Sequence, residues 1–315
     1  MSPNTIVVAL GGNALSPTGG PHVTVAEQFR HTRSSMDLLV NLVQEGWRIA
    51  IVHGNGPQVG DELTRNELAI GEVPALPLGV LVAETAGWIG YMIQQSLGNA
   101  LAVSGVSRDV ITVLTQTVVD ANDPRLERAT KPVGHTLSDR AKDELLKRGA
   151  PVGKDGAGRW RRMAPSPVPL RIVEIDAVRE LVGEGKVVIA AGGGGPPVIE
   201  VEKGFEGIEA LVDKDRTAAV LAEALGADTL LILTNVSAVF DGWGSEDQKP
   251  LNKLTTSQVK SMLERGGLGE GSMAPKLEAA VSFVERGGRR AVIAHLEEGV
   301  RALAGETGTT IMEKF

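Results

Sequence analysis

Ile6-Val7-Val8-Ala9-Leu10-Gly11-Gly12-Asn13-Ala14-Leu15 is an apolar run of strand-forming residues that ends in two glycines and an asparagine. Its continuous hydrophobicity fits a strand covered on both faces, as in a parallel sheet. Glycines at the tip leave the backbone open to a charged ligand, because no Cβ intervenes. The pattern recurs at Ile49-Ala50-Ile51-Val52-His53-Gly54-Asn55-Gly56 and at Val187-Val188-Ile189-Ala190-Ala191-Gly192-Gly193-Gly194-Gly195. Three buried strands therefore end in glycine-rich tips. Ligands of open α/β sheets gather at strand carboxyl ends, so one site is expected where the tips meet.

Working outward, residues 16–22 read as loop and 25–45 as one helix with Phe29, Met36, Leu39, Leu42 and Val43 near one face. Gly46 ends that helix, a strand follows at 48–53, and Pro57 suits the first turn of the next helix. A long, largely apolar helix is predicted over 80–101. One side meets the sheet; the other is covered either by a partner subunit or by the chain's own domain. Residues 110–119 read as a strand, and 120–169 as a polar, Pro- and Gly-rich block. Within that block Ser138 is a candidate N-cap, and 150–155 and 159–163 pair as a hairpin. The block is read as an inserted subdomain or lid, against the alternative of a surface loop. Further helices are expected at 174–182, 216–225, 256–264, 275–285 and 297–304. Strands are expected at 187, 229–233 and 290–294, with a β excursion near 198–202, irregular chain over 236–254 and a final edge strand at 307–312. Such alternation argues a largely parallel α/β sheet.

A chain of 315 residues, 42% hydrophobic and 23% charged, can bury a large core. A formal charge of -7 gives no general electrostatic case for nucleic acid, although a local basic site fits within that average. Cysteine is absent, which excludes disulfides, thiolate metal sites and cysteine nucleophiles. With neither a signal-peptide pattern nor an apolar run long enough to span a membrane, the expectation is a soluble cytoplasmic protein.

Glycine tips cradle oxyanions where backbone amides converge, and the 54–56 tip opens directly into a helix whose N-terminus adds positive potential. Close packing would equally explain any single tip. Gly54, Gly56 and Gly60 miss the dinucleotide spacing by one residue, and no Walker A sequence occurs. Asp213-Lys214-Asp215 is the sharpest charged group. Lys214 suits stabilisation of transferring phosphoryl oxygens, with Asp215, or in part Asp213, as its organiser; a charged helix start is the plainer account. Lys131, before Pro132, and Lys276, after Pro275, occupy distinctive settings, though either alone reads as a surface charge. Arg159, Arg161 and Arg162 around Trp160 fit a lid hairpin better than a nucleic-acid contact. The five histidines show no metal-ligand spacing, and His53 reads as a satisfied structural imidazole.

Several separated blocks together resemble carbamate kinase, of the amino acid kinase superfamily, along essentially the full chain. They are residues 8–15, 52–60, 89–95, Thr130-Lys131-Pro132-Val133-Gly134, Arg161-Arg162 with 165–167, 190–195, 212–215, Ile232-Leu233-Thr234-Asn235-Val236 and Gly271-Ser272-Met273-Ala274-Pro275-Lys276. The resemblance implies a three-layer α/β/α sandwich with a mainly parallel sheet and a protruding subdomain at 123–170. It implies a homodimer and reversible phosphoryl transfer between ATP and carbamate, with Mg2+ brought by the ATP or ADP phosphates and no metal ligand assigned in the protein. Residues up to about 210 would then hold carbamate or carbamoyl phosphate, and those from about 211 the nucleotide. Gly11, Gly12, Asn13, Gly54, Asn55, Gly192 and Gly193 fall on the substrate side. Lys131 looks like the residue that reaches over carbamoyl phosphate, Lys214 like the phosphoryl-stabilising lysine, and Asp215 like its organiser. Lys276 looks like a nucleotide phosphate contact, with Asn235 and Met273 near the nucleotide. Gly79, Ala86 and Asn235 depart from the family pattern, where aspartate, glutamine and aspartate are usual. The competing readings are a kinase for another small carboxylate such as acetylglutamate, and a nucleotide-sensing regulator without catalysis.

Overall fold

A computed structural model describes residues 4–16, 23–245, 247–266 and 273–315. Most of the loop expected at 16–22, with His22, and the pair Gly271-Ser272 lie outside the described residues, as does the side chain of Asn13. An eight-stranded sheet forms the centre, in the order 253–255, 309–312, 290–295, 229–234, 5–10, 48–53, 187–189, 110–112. The six strands from Arg290–His295 to Val110–Thr112 are parallel, and Thr309–Met312 runs antiparallel to its neighbour Arg290–His295.

Both faces of the sheet are dry, and the period-two geometry of a strand divides them. Val7, Ala9, Ala50, Val52, Leu230, Ile232, Ala291 and Ile293 pack against one layer that includes Val178, Leu221, Val259 and Phe283. Ile6, Val8, Leu10, Ile49, Ile51, Leu231, Leu233 and Val292 face the other, with Leu39, Ile89, Met92 and Ile93. This is the three-layer α/β/α sandwich. Buried apolar area of this extent is the main favourable term in holding the layers together.

Local sequence sets the departures from the expected elements. The helix expected over 25–45 is two, Val25–Ser34 and Asp37–Gln44. Ser34 and Ser35 both turn their hydroxyls back to the His31 carbonyl, at 2.7 and 3.1 Å, and such bonds compete with the helical ladder. The strand expected over 110–119 is also two. Val110–Thr112 belongs to the main sheet, whereas Thr117–Val119 joins a second sheet with Pro169–Ile172, Pro197–Val201 and Gly204–Gly207. The chain expected to be irregular at 236–254 contains the hairpin Val239–Asp241 with Lys249–Leu251, and the strand Lys253–Thr255. That last strand covers Thr309–Met312, which is therefore interior rather than an edge.

The long helix is Leu78–Val103. Its inner side buries Leu81, Val82, Ile89, Met92 and Ile93, while Val80 and Tyr91 remain 45% and 55% exposed. Tyr91 meets Phe29 of the helix Val25–Ser34 edge to face at 5.7 Å, so the chain's own domain covers part of that side and leaves part open. Among the described residues no helix is long and apolar enough to cross a membrane.

Residues 123–170 carry the sheet Ala129–Val133, Trp160–Pro165, Val152–Lys154 and the helix Asp139–Lys147, capped by Ser138 as expected. This subdomain roots in a small core where Val133 and Ala164 meet Val59, Val82 and Leu211. Asp123 ties its entry to its exit, accepting from Arg125 N and Val168 N at 2.8 Å each. The helix Gly56–Leu68 holds it from one side through Arg162–Glu67 and His135–Asp61, the latter at 3.3 Å. Gly60 and Gly134 touch backbone to backbone there: a Cβ on Gly60 would lie 2.0 Å from the Gly134 Cα.

Candidate active site

The strands 5–10, 48–53 and 187–189 end on the same side of the sheet, and their glycine tips converge as the sequence leads one to expect. A Cβ on Gly54 would meet Lys214 Cδ at 3.3 Å and Gly12 N at 3.7 Å. At Gly193 it would sit 2.1 Å from Asn55 Nδ2, and at Gly192 2.5 Å from His53 Nε2. Gly193 also has φ of +67°, so the tip excludes side chains on both steric and conformational grounds. Ala191, at φ +51°, is the one non-glycine residue in the left-handed region among those described. Its N–H donates to Thr115 Oγ1 at 2.9 Å, and the Thr117 and Thr217 hydroxyls donate to the Gly194 carbonyl at 2.7 and 3.2 Å. Asn55 is buried and donates to Thr85 Oγ1 at 2.9 Å.

His53 is fully buried. Its Nδ1 lies 3.0 Å from the Gly54 carbonyl, and its Nε2 has no hydrogen-bond partner. The imidazole is thus half satisfied rather than satisfied. Burial lowers its pKa to about 4, against the backbone carbonyls of Gly54 and Ala86, and Lys214 adds to the lowering.

Lys214 starts the helix Lys214–Ala224, with Asp213 as N-cap. Asp is favoured there because its oxygen satisfies free helix N–H groups: Asp213 Oδ1 accepts from Asp215 N at 3.0 Å and Arg216 N at 3.4 Å. The Asp215 carboxylate is buried and holds two lysines, Lys214 Nζ on Oδ1 at 2.5 Å and Lys276 Nζ on Oδ2 at 3.1 Å. Lys276 is itself only 6% exposed. From the subdomain, Lys131 Nζ reaches Asp213 Oδ2 at 2.6 Å. Burial holds Lys214 below the usual lysine range, with Asp215 opposing and Lys276 reinforcing that shift. For Asp213 burial would raise the pKa, but Lys131, Lys214 and Lys276 outweigh it and keep the group well below the usual carboxylate range.

A cleft of about 860 Å³ opens between the subdomain and the helix starts at 213–216 and 275–276. Seven cationic side chains line it, among them Lys131, Lys276, Arg125 and Arg161, against four acidic ones. An acidic chain thus carries a cationic cleft, the setting for a polyanion. Lys131, Asp215 and Lys276 line this cleft, and Lys214 sits between Asp215 and the glycine tips. Asn235, exposed at the end of the strand Thr229–Thr234, and Met273 do not line it. The pairing of Asp213 with Lys131 is not legible in the sequence, because the two lie 82 residues apart. Arg159 and Arg161 of the hairpin both pair with Asp155, and the Arg159 side chain stays 58% exposed.

A model of the amino acid kinase family matches residues 4–295. The chain belongs to the amino acid kinase family. Several relatives at about 40% identity over nearly the full length are carbamate kinases. It is 42% identical to the carbamate kinase of Pyrococcus horikoshii over 312 residues, 98% of this chain and 99% of that protein. It is 43% identical to the carbamate kinase of Halobacterium salinarum over 310 residues, 97% of each. The structure of carbamate kinase from Giardia lamblia bound to citric acid superposes with a TM-score of 0.92 at 33% identity, covering 99% of both chains. The same kinase bound to AMP-PNP gives 0.89 at 32%, again over 99% of both. In this amino acid kinase the fold is the α/β one that the sequence resemblance implies.

Proposed function

We propose that this chain is a carbamate kinase that catalyses ATP + carbamate = ADP + carbamoyl phosphate by direct in-line transfer. The observation that carries the proposal is the convergence of three ammonium groups from separate parts of the chain on two aspartates, between the glycine tips and a cationic cleft. A carbamate oxygen attacks the γ-phosphorus, and the bond from that phosphorus to the β-γ bridging oxygen breaks, its electron pair leaving on ADP. Carbamate is already anionic, so no strong base is needed. The barrier lies in bringing two anions together, which fixed positive charges lower.

On this reading Gly11, Gly12, Asn13, Gly54, Asn55, Gly192 and Gly193 present backbone and amide groups to the carbamoyl phosphate side. Lys214 bridges to the moving phosphoryl group, Asp215 fixes Lys214 and Lys276, and Lys276 meets the nucleotide phosphates. Lys131 closes over the group from the subdomain. Asn235 and Met273 would serve the outer part of the nucleotide, beyond the cleft. Residues up to about 210 form the carbamate side and those beyond it the nucleotide side.

Mg2+ is assigned to the nucleotide as part of the substrate. Among the described residues no cluster of three or more His, Asp or Glu side chains forms a cage, and Asp213 and Asp215 are both committed to lysines. A homodimer through the outer face of the helix Leu78–Val103 would cover Val80 and Tyr91, and a cytoplasmic setting and arginine metabolism accord with the reaction.

The test is ATP formation from carbamoyl phosphate and MgADP by the purified chain, alongside MgATP with acetylglutamate. ATP in the first assay and no ADP in the second support the reading; the reverse pattern identifies another small-carboxylate kinase, and silence in both a nucleotide-binding regulator.

A further inference from the structure

Asp213 does two separate things with its two oxygens. Oδ1 caps the helix Lys214–Ala224, and Oδ2 holds Lys131 of the subdomain, 82 residues away in sequence. Two residues on, Asp215 divides its oxygens between Lys214 and Lys276. Arg162–Glu67, His135–Asp61 and the Gly60 backbone contact anchor the subdomain to the first half of the chain, and the Leu211 N–H on the Pro165 carbonyl, at 2.9 Å, ties its base to the second. The Lys131–Asp213 ion pair also reaches the second half, but at the rim of the cleft, with 28% and 14% of the side chains exposed.

We propose that Asp213 is the positioning residue for Lys131: it takes one N–H of the ammonium, aims the other two at the phosphoryl group, and so links closure of the subdomain to completion of the anion site. An ammonium has three donors and no acceptor, so a carboxylate that takes one orients the rest. The position of Asp213 at the start of the helix that carries Lys214 places the two lysines in one frame. This inference rests on the phosphoryl-transfer reading above.

Asp213→Asn separates the two roles, because Asn caps a helix about as well as Asp but carries no charge for Lys131. The steady-state kcat and KM for carbamoyl phosphate are compared in the wild type, Asp213→Asn, Lys131→Met and the double variant. Asp213→Asn is expected to lower kcat roughly tenfold, in the range of coupling between contacting charged groups. In the Lys131→Met background the same change is expected to shift kcat less than about twofold, because a positioning residue has nothing left to position. Wild-type kcat and KM in Asp213→Asn, or losses that multiply in the double variant, overturn the proposal. Hydrogen exchange of the Ala129–Val133 amides without substrate gives a readout independent of turnover. Faster exchange in Lys131→Met, matched by Asp213→Asn, supports the link, and unchanged exchange in Lys131→Met refutes it. Lys131 caps no helix, so that arm stands even if Asp213→Asn fails to fold, and it separates failure of this inference from an inactive wild type.

Discussion

Replacing Gly60 with alanine puts a methyl group where the Gly134 backbone already lies. The added Cβ would be 2.0 Å from Gly134 Cα and 2.7 Å from its N, against an ordinary contact of 3.4 Å or more, a deficit of about 1.4 Å. Neither partner is a flexible side chain, so the strand Ala129–Val133 and its sequel must move away from the helix Gly56–Leu68. Gly134 N would then lose its bond to the Gly56 carbonyl, now 3.2 Å. Lys131 lies three residues before Gly134 and would be carried from its 2.6 Å pairing with Asp213. Overpacking of this kind costs about 1–3 kcal/mol in stability, and a misplacement of roughly 1 Å at a reacting centre can cost about 100-fold in rate. Gly60→Ala is therefore expected to lower kcat for ATP formation by about 100-fold while urea titration shows a folded protein weakened by about 1–3 kcal/mol. Wild-type kcat in a folded Gly60→Ala variant would refute the claim that this contact sets the position of Lys131.

Other outcomes follow from the same geometry. Gly193→Ala collides with Asn55 and requires a non-glycine residue at φ +67°; it should raise KM for carbamoyl phosphate at least about tenfold, the loss of one good polar contact, and unchanged KM would count against the third tip. At Gly98, within the helix Leu78–Val103, nothing lies within 4 Å of an added Cβ, so Gly98→Ala should stabilise the fold by about 0.5–1 kcal/mol, measured by urea titration. His53 has a folded pKa lowered to about 4 from 6.5. The unfolded chain therefore binds the proton first as pH falls, and the stability present above pH 6.5 is lost toward pH 4. Between pH 7 and 5 the loss should be about 2 kcal/mol, and His53→Gln should remove that part of the pH dependence.

The central strands are legible in the sequence because burial on both faces demands unbroken apolar runs, and the glycine tips follow them directly. Lys253–Thr255 escapes because a strand of three residues has a single buried apolar side chain, Leu254, to show. The break between Val110–Thr112 and Thr117–Val119 is set by distant partners: Thr115 accepts from Ala191, and Gln116 bonds to Glu174. The same logic divides the site. Lys214 and Asp215 adjoin each other, and Lys131 and Lys276 stand in recognisable local settings, so residue type and resemblance reach them. The Asp213 hold on Lys131 and the Gly60–Gly134 contact join residues far apart in sequence and leave no local pattern. The close approach of Gly192 to the His53 ring likewise joins distant residues.

The central claim is that Lys214 stabilises the phosphoryl group in transit, and the most direct measurement is kcat for ATP formation from carbamoyl phosphate and MgADP by Lys214→Ala. Loss of such a donor should lower kcat about 100- to 1,000-fold in a variant that remains folded. A folded Lys214→Ala enzyme that turns over near the wild-type rate would contradict the account.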